Sequence, residues 1–321
     1  MKKSSYDVLV IGAGPGGSVA ARNLAKQGFS VLLIEKREKI GYPVRCGEAS
    51  TKLERLQEEF GPIEPDCIET ELNGLYVYGP GGVELDCKMP GVGVMLNREK
   101  FDPWLAHLAE EDGAEVETNA RASAVGEVQN GYRTVTVETS RGTEFIQAKM
   151  VIAADGVESR IGRMVGLNTL QKPATACTGV DIQVKGILTK PDYLTFWQGV
   201  DYINDGYIWS FPKVKSNVTN FGAGFLISTK SDKCIEEVAF DWLKKLFPNA
   251  KVVENYKAED GKTFADIEQQ IGGIADVSSI TKNQITFETR VDLFGTYGIT
   301  IPMKLENDKL VGLDSVIKFL H

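Results

Sequence analysis

The sequence predicts an α/β fold: a Rossmann-like parallel sheet entered through a GxGxxG turn, with an antiparallel β-sheet domain interleaved in the chain. Three observations carry that expectation. The first 35 residues read strand, glycine turn, helix, strand. Two later stretches break into short alternating segments punctuated by Gly and Pro. No internal repeat, low-complexity tract or flexible linker separates them, so the domains interleave rather than follow one another.

Residues 6–11 form a short β-branched apolar run, residues 12–17 a glycine cluster, and residues 18–26 place Ala21, Leu24 and Ala25 on one helical face. A second strand at 30–35 follows Gly28, completing a βαβ unit whose crossover should be right-handed. Between 61 and 93 Gly and Pro interrupt the chain, and Leu75, Val77, Val83 and Leu85 alternate with other residues, which reads as an antiparallel excursion. Residues 97–111 resemble a capped helix with Phe101, Leu105 and Leu108 on one stripe. Strands at 115–118, 132–139 and 145–154 should then return the chain to the first sheet, ending at Asp155 and Gly156. A second antiparallel block spans 178–258, with strands at 179–184, 193–197, 206–211 and 219–227 and a helix over 233–247 stopped by Pro248. These elements assign 1–72, 94–175 and 285–321 to one discontinuous domain and 73–93 with 176–284 to the other.

Composition narrows the function. The 321 residues allow one large domain or two ordinary ones, and 42% hydrophobic with 25% charged residues is a globular balance. A formal net charge of −8 argues against nucleic acid as a partner. Cys46, Cys67, Cys87, Cys177 and Cys234 are widely spaced, with no CxxC pair, so neither a disulfide framework nor a metal site is expected. The start lacks the apolar stretch of a secretory signal, and no apolar run approaches the roughly 20 residues that span a bilayer. The expectation is a cytoplasmic protein, at most peripheral at a membrane surface.

Gly12, Gly14 and Gly17, with Gly16 between them, satisfy GxGxxG directly after a strand and before a helix, and Glu35 ends the second strand 18 residues beyond Gly17. Gly12 permits the tight turn, Gly14 lets a pyrophosphate approach the backbone, and Gly17 lets helix and strand pack closely. Free N–H groups at the helix start would meet the phosphates, and Glu35 would accept from a ribose diol. The motif alone does not separate FAD from NAD.

The segments GAGPGGSVAARNLAKQG, IEKREKIGYPVRCGE, NREKFDPWLA, AKMVIAADGVESRIGR and GYIWSFPK, with Gly222 and Gly224 after the last, together resemble the geranylgeranyl reductase family of flavoproteins. That family looks like para-hydroxybenzoate hydroxylase in fold and includes archaeal digeranylgeranylglycerophospholipid reductases. The resemblance covers residues 6–312. It implies FAD as cofactor, with Gly12, Gly14 and Gly17 at the pyrophosphate and Glu35 at the adenosine ribose. Arg45, Cys46 and Gly47 would lie toward the flavin, Arg98 would reach the cofactor from its helix, and Ala122 matches a position near the adenine. Asp155 has two readings, a helix cap or a residue near the cofactor. Tyr207, Trp209 and Phe211 alternate along one strand; unaided they read as core aromatics, and in the resembled family the motif lines an isoprenoid cavity. His107 and His321, the two histidines, carry no assigned role.

The resemblance implies reduction of geranylgeranyl double bonds in a prenylated lipid. Cys46 is the candidate catalytic residue, because an isolated alkene accepts hydride only with protonation or close electrostatic support. NAD(P)H or a ferredoxin-like protein would donate electrons. The alternatives are an aromatic monooxygenase on the same fold and a catalytically impaired remnant. The remnant reading rests on the C-terminal part, where residues 309–315 read KLVGLDS in place of the family's GDAA segment, and the expectation there is a truncated chain with weakened FAD binding.

Overall fold

The computed structural model describes residues 3–172, 175–188 and 190–253, together with the backbone of 304–306 and 309–311. The chain divides into two compact units: Met1–Val44 with Arg98–Leu170, and Arg45–Asn97 with the described residues from Gln171 onward.

In the first unit, β1 (Ser5–Ile11) leads into α1 (Pro15–Lys26) and β2 (Val31–Ile34), the expected βαβ start. β1 lies between β2 and β9 (Gly142–Ala153), parallel to both, and β6 (Glu115–Glu117) extends the parallel set beyond β2. β8 (Tyr132–Thr139) and β7 (Arg121–Gln129) complete the six-stranded sheet as an antiparallel flap. Alternation along β1 serves both faces. Val8 and Val10 pack with Ala21 and Ala25 of α1 and Ala109 of α3 (Arg98–Glu111), while Leu9 and Ile11 pack with Val135, Val137 and Ile146. β7 was not among the expected strands. Its residues RASAVGEVQ are mostly exposed, so no apolar alternation marks it, and it is a strand because it pairs with β8. A short helix, α4 (Arg160–Met164), follows β9.

The second unit is one eight-stranded sheet. It joins β3 (Ala49–Ser50), β4 (Ile68–Tyr78), β5 (Glu84–Leu96), β10 (Cys177–Lys185), β11 (Tyr193–Gly199), β12 (Ile203–Lys213), β13 (Val218–Leu226) and β14 (Lys251–Val252), in the order β14-β10-β13-β12-β11-β4-β5-β3. All its pairs are antiparallel except β11 with β4, where Tyr193 faces Gly74 and Trp197 faces Tyr78 in parallel register. That pair merges the two expected antiparallel stretches into one sheet. One face, with Ile182, Ile208, Phe221 and Ala223, is covered by Ala239, Phe240 and Leu243 of α5 (Ile235–Leu246). A helix not anticipated from the sequence, α2 (Leu53–Phe60), buries only Leu56 and Phe60.

Three domain boundaries move. The chain passes between units at Val44/Arg45 and Asn97/Arg98, not after residues 72 and 93, because β3 pairs with β5 and β4 starts at Ile68. The third passage falls at Leu170/Gln171, five residues before the expected one. The assignment of 285–321 to the first domain lies outside the described residues, apart from β15 (Lys304–Glu306) and β16 (Lys309–Val311), which pair with each other. The expected departure at 309–315, apart from the backbone of 309–311, and the C-terminal part of the 178–258 block, from 254 on, also lie outside them.

Candidate functional site

Each unit carries its own group of candidate residues. In the first, the chain leaves β1 and turns through Gly12 at φ +105°, a left-handed backbone. A Cβ on Gly12 would overlap the carbonyl oxygen of Ala154, and one on Gly17 would overlap the carbonyl oxygen of Gly12, so close backbone approach demands both glycines. Gly14 and Gly16 differ. A Cβ on either meets no described atom within 4 Å. Gly14 is the N-cap of α1, with no side-chain cap among the described residues and no acidic residue in the first turn. The first-turn N–H groups therefore open onto the space that Gly14 leaves clear, an arrangement that fits a pyrophosphate.

Glu35, buried at the end of β2, does more than the sequence suggested. Its Oε2 accepts the Ala13 N–H and its Oε1 the Arg37 N–H, both at 3.0 Å. The carboxylate thus braces the glycine turn, and each oxygen keeps a lone pair for a ribose hydroxyl. Glu35→Gln should cost about 1 kcal/mol of stability even without cofactor, since the amide NH2 must face one of the two N–H donors. Urea melts of both chains check this; equal midpoints would leave Glu35 with a ligand role alone.

Asp155 follows β9. Its Oδ2 accepts the Ile161 N–H at 2.9 Å, the capping reading, and its Cα lies 3.2 Å from where a Gly12 Cβ would stand, so it also borders the turn. Arg98 is engaged by its own helix: Nε and Nη2 donate to the Asp102 carboxylate at 2.5 and 2.8 Å, and Asp102 is buried. Ala122 packs under the flap beside Val125 and Val137. Neither touches the glycine turn in the described contacts.

The second unit brings together residues that lie more than 150 positions apart in the sequence. On the sheet face opposite α5, Tyr207, Trp209 and Phe211 point the same way along β12, joined by Phe196 of β11. Ring centroids lie 5.7 Å apart for Tyr207 with Trp209, 6.2 Å for Trp209 with Phe211 and 5.2 Å for Phe196 with Phe211. Trp209 and Phe211 are buried and Tyr207 is half-buried, so core packing and a greasy platform are the same surface. Gly222 has no room for a side chain, because its Cβ would overlap the Trp209 indole, and Gly224 lies beside the same ring. Burial pushes the Tyr207 phenol well above its ordinary range, with Cys177 and Cys46 as further causes.

Arg45, Cys46 and Gly47 enter this face just before β3. A Cβ on Gly47 would stand 2.9 Å from Phe211 Cε2 and 3.7 Å from Trp209 Nε1, which seats the turn on the aromatic stripe. The Cys46 carbonyl accepts from Asn220 Nδ2 at 2.8 Å, and its Sγ accepts the Glu48 N–H at 3.2 Å. Sequence reasoning missed what lies beneath. Glu48 is fully buried and meets Lys213 Nζ at 2.9 Å with both oxygens, while Gln183 and Asn220 donate to its Oε2 at 3.2 and 3.3 Å. The available signal was Lys213 itself, a charge ending a strand of buried aromatics. Asp181, on the same face of β10, is the other missed group; burial, then the Glu48 charge, pushes its carboxyl up to about 8.

Residues 5–204 match the FAD binding domain family model. The chain belongs to the FAD-binding domain family. Residues 176–259 match the geranylgeranyl reductase catalytic domain, which bears out the resemblance drawn from the motifs and, with it, FAD as the cofactor. Among curated relatives, digeranylgeranylglycerophospholipid reductase of Methanocella arvoryzae is 41% identical over 257 residues, and that of Methanosarcina acetivorans 40% over 262. The matches cover 78% of this chain in both cases, and 64% and 63% of the relatives' own length. A geranylgeranyl bacteriochlorophyll reductase-like protein from Thermoplasma acidophilum superimposes with a TM-score of 0.71 at 34% identity, covering 78% of this chain and 65% of that one. A flavoprotein/dehydrogenase from Cytophaga hutchinsonii, 23% identical with a TM-score of 0.61, covers 78% of this chain and 64% of its own and shares the fold.

Proposed function

We propose that this chain acts as a flavin-dependent reductase saturating double bonds in the geranylgeranyl chains of a prenylated lipid of the digeranylgeranylglycerophospholipid kind. The observation that carries the reading is the seating of the Cys46–Gly47 turn on the Tyr207, Trp209 and Phe211 stripe, which sets a thiol-bearing turn against an apolar aromatic face. FAD, when bound and reduced, supplies the hydride. Gly12, Gly14, Gly16, Gly17 and Glu35 would hold its nucleotide end, with Asp155, Arg98 and Ala122 in the same unit, and Arg45, Cys46 and Gly47 on the flavin side. The aromatic stripe orients the tail and keeps water off it, with Gly222 and Gly224 leaving space for the indole to lie on the sheet. Cys46 provides the protonation or electrostatic support that an unactivated alkene needs.

The lipid would come from a membrane surface on the cytoplasmic side, and an electron donor, NAD(P)H or a ferredoxin-like protein, would reduce the flavin. Among the described residues no helix is long and apolar enough to cross a membrane. The test is reduction of a geranylgeranyl lipid, followed by mass, on full chain reconstituted with FAD and chemically reduced. Cys46→Ala should keep flavin within a few-fold and lose turnover by about 100-fold, the scale on which a positioned acid contributes. Full turnover in that variant removes Cys46 from the chemistry. Oxygen-dependent NAD(P)H consumption stimulated by an aromatic compound would instead mark a monooxygenase, and a colourless chain that FAD does not reconstitute would mark a remnant.

A further inference from the structure

Glu48 sits where a buried charge has no obvious business, under a greasy face and beside the turn that carries Cys46. Its backbone is left-handed at φ 66°, which a non-glycine residue adopts only when its surroundings hold it there. Four bonds to its side chain do the holding: two from Lys213 Nζ on β12, one from Gln183 on β10 and one from Asn220 on β13. Asn220 is fully buried and divides its amide between Glu48 Oε2 and the Cys46 carbonyl, while its Oδ1 accepts the Trp209 indole N–H at 2.9 Å. One residue therefore ties the carboxylate, the Cys46 peptide and the central aromatic together. The Glu48 N–H in turn points at Cys46 Sγ.

We propose that Glu48 is a positioning residue for Cys46: clamped by Lys213, Gln183 and Asn220, it holds the left-handed turn that aims its own N–H at the Cys46 sulfur and keeps the thiol against the aromatic stripe. The role assigned to Cys46 rests on the function proposed above; the clamp itself does not, and the readout below needs neither flavin nor lipid. An N–H donated to sulfur favours the thiolate, so the pH at which Cys46 becomes nucleophilic reports whether the turn is in place. The charged and titratable groups clustered about the turn are Arg45 and Glu48 on its own segment, Tyr207 and Lys213 from β12, and Cys177 and Asp181 from β10, with Tyr207 coupled directly to Cys46.

The experiment measures the pH profile of Cys46 alkylation by iodoacetamide in the full chain, resolved by peptide mass spectrometry so that the other four cysteines serve as internal references. Two charge-balanced variants separate geometry from charge. Glu48→Gln with Lys213→Met keeps an oxygen for Asn220, and its midpoint should stay within about 0.3 of the parent. Glu48→Ala with Lys213→Met is equally neutral but offers no acceptor, and its midpoint should rise by about one pH unit, making Cys46 alkylation about tenfold slower at pH 7. Asn220→Ala leaves the ion pair and removes the bridge to the Cys46 carbonyl; it should move the midpoint the same way, which keeps the test alive should the alanine double variant not fold. Identical midpoints in the two double variants, or an unmoved profile in Asn220→Ala, would overturn the proposal.

Discussion

A Gly14→Val chain should fold as the parent does and bind FAD at least about 100-fold more weakly. The fold tolerates the change because Gly14 has φ −70° and ψ 177°, extended backbone open to any residue, and its Cβ meets no described atom within 4 Å. Losing a glycine N-cap to valine costs at most about 1 kcal/mol. The branched side chain nevertheless fills the space onto which the first-turn N–H groups of α1 open, where a phosphate would sit. A 100-fold loss corresponds to about 2.7 kcal/mol, a reasonable value for displacing a charged group from several donors. Gly17→Val makes the contrast, since its Cβ overlaps the Gly12 carbonyl oxygen and stands 3.1 Å from Ala154 Cβ, so that chain should lose the first unit's fold itself. Far-UV circular dichroism and FAD titration by fluorescence quenching distinguish the two. A folded Gly14→Val chain with parental FAD affinity would sink the nucleotide assignment.

The contrast between Gly14 and Gly17 also marks what the sequence could reveal. The GxGxxG turn was legible because each glycine has a local cause, and strand, turn and helix lie within 30 residues. β12 was legible for the same kind of reason, with Tyr207, Trp209 and Phe211 at period two. The parallel pairing of β11 with β4 was not, because alternation says which face a residue takes but nothing about which strand lies alongside. α2 escaped although LERLQEEF sets Leu53, Leu56 and Phe60 at helical spacing, because eight residues, five of them charged or polar, make too short a window for the period to stand out. The site divides in the same way. Cys46 and the aromatic stripe were found separately, each from its own segment, and the structure seats the neighbouring Gly47 on that stripe. Glu48 and Lys213, 165 residues apart, become a pair only when β3 and β12 share a sheet. Glu48 gave no sign of burial, and Lys213 hinted at it only as a charge ending a strand of aromatics.

The missed carboxylate of β10 leads to the second large effect: Asp181→Asn should stabilise the protein at pH 8 and leave it unchanged near pH 4. Asp181 shares its face with Gln183 and lies opposite Gly222 across β13, next to the Trp209 platform. Burial is the first cause that lifts its carboxyl from the ordinary 3.8 to about 8, and the Glu48 charge adds to it against Lys213 and Arg45. A raised value means that the folded state holds the proton more tightly than the unfolded one. The stability contributed is fully present below about pH 4 and is lost as pH rises through 8, at up to about 1.4 kcal/mol per pH unit. Part of the residue reaches solvent, so the loss should be a fraction of that maximum, about 2–4 kcal/mol across the window. Asparagine cannot ionise, and the slope should vanish with it. Urea midpoints of parent and variant at pH 4, 6 and 8 measure the difference directly, and parallel curves would show that Asp181 is ionised in the folded chain. A neutral Asp181 also suits the face it occupies. With Glu48 matched by Lys213 and Asp181 holding its proton, neither carboxylate of this face leaves an uncompensated negative charge beside Trp209.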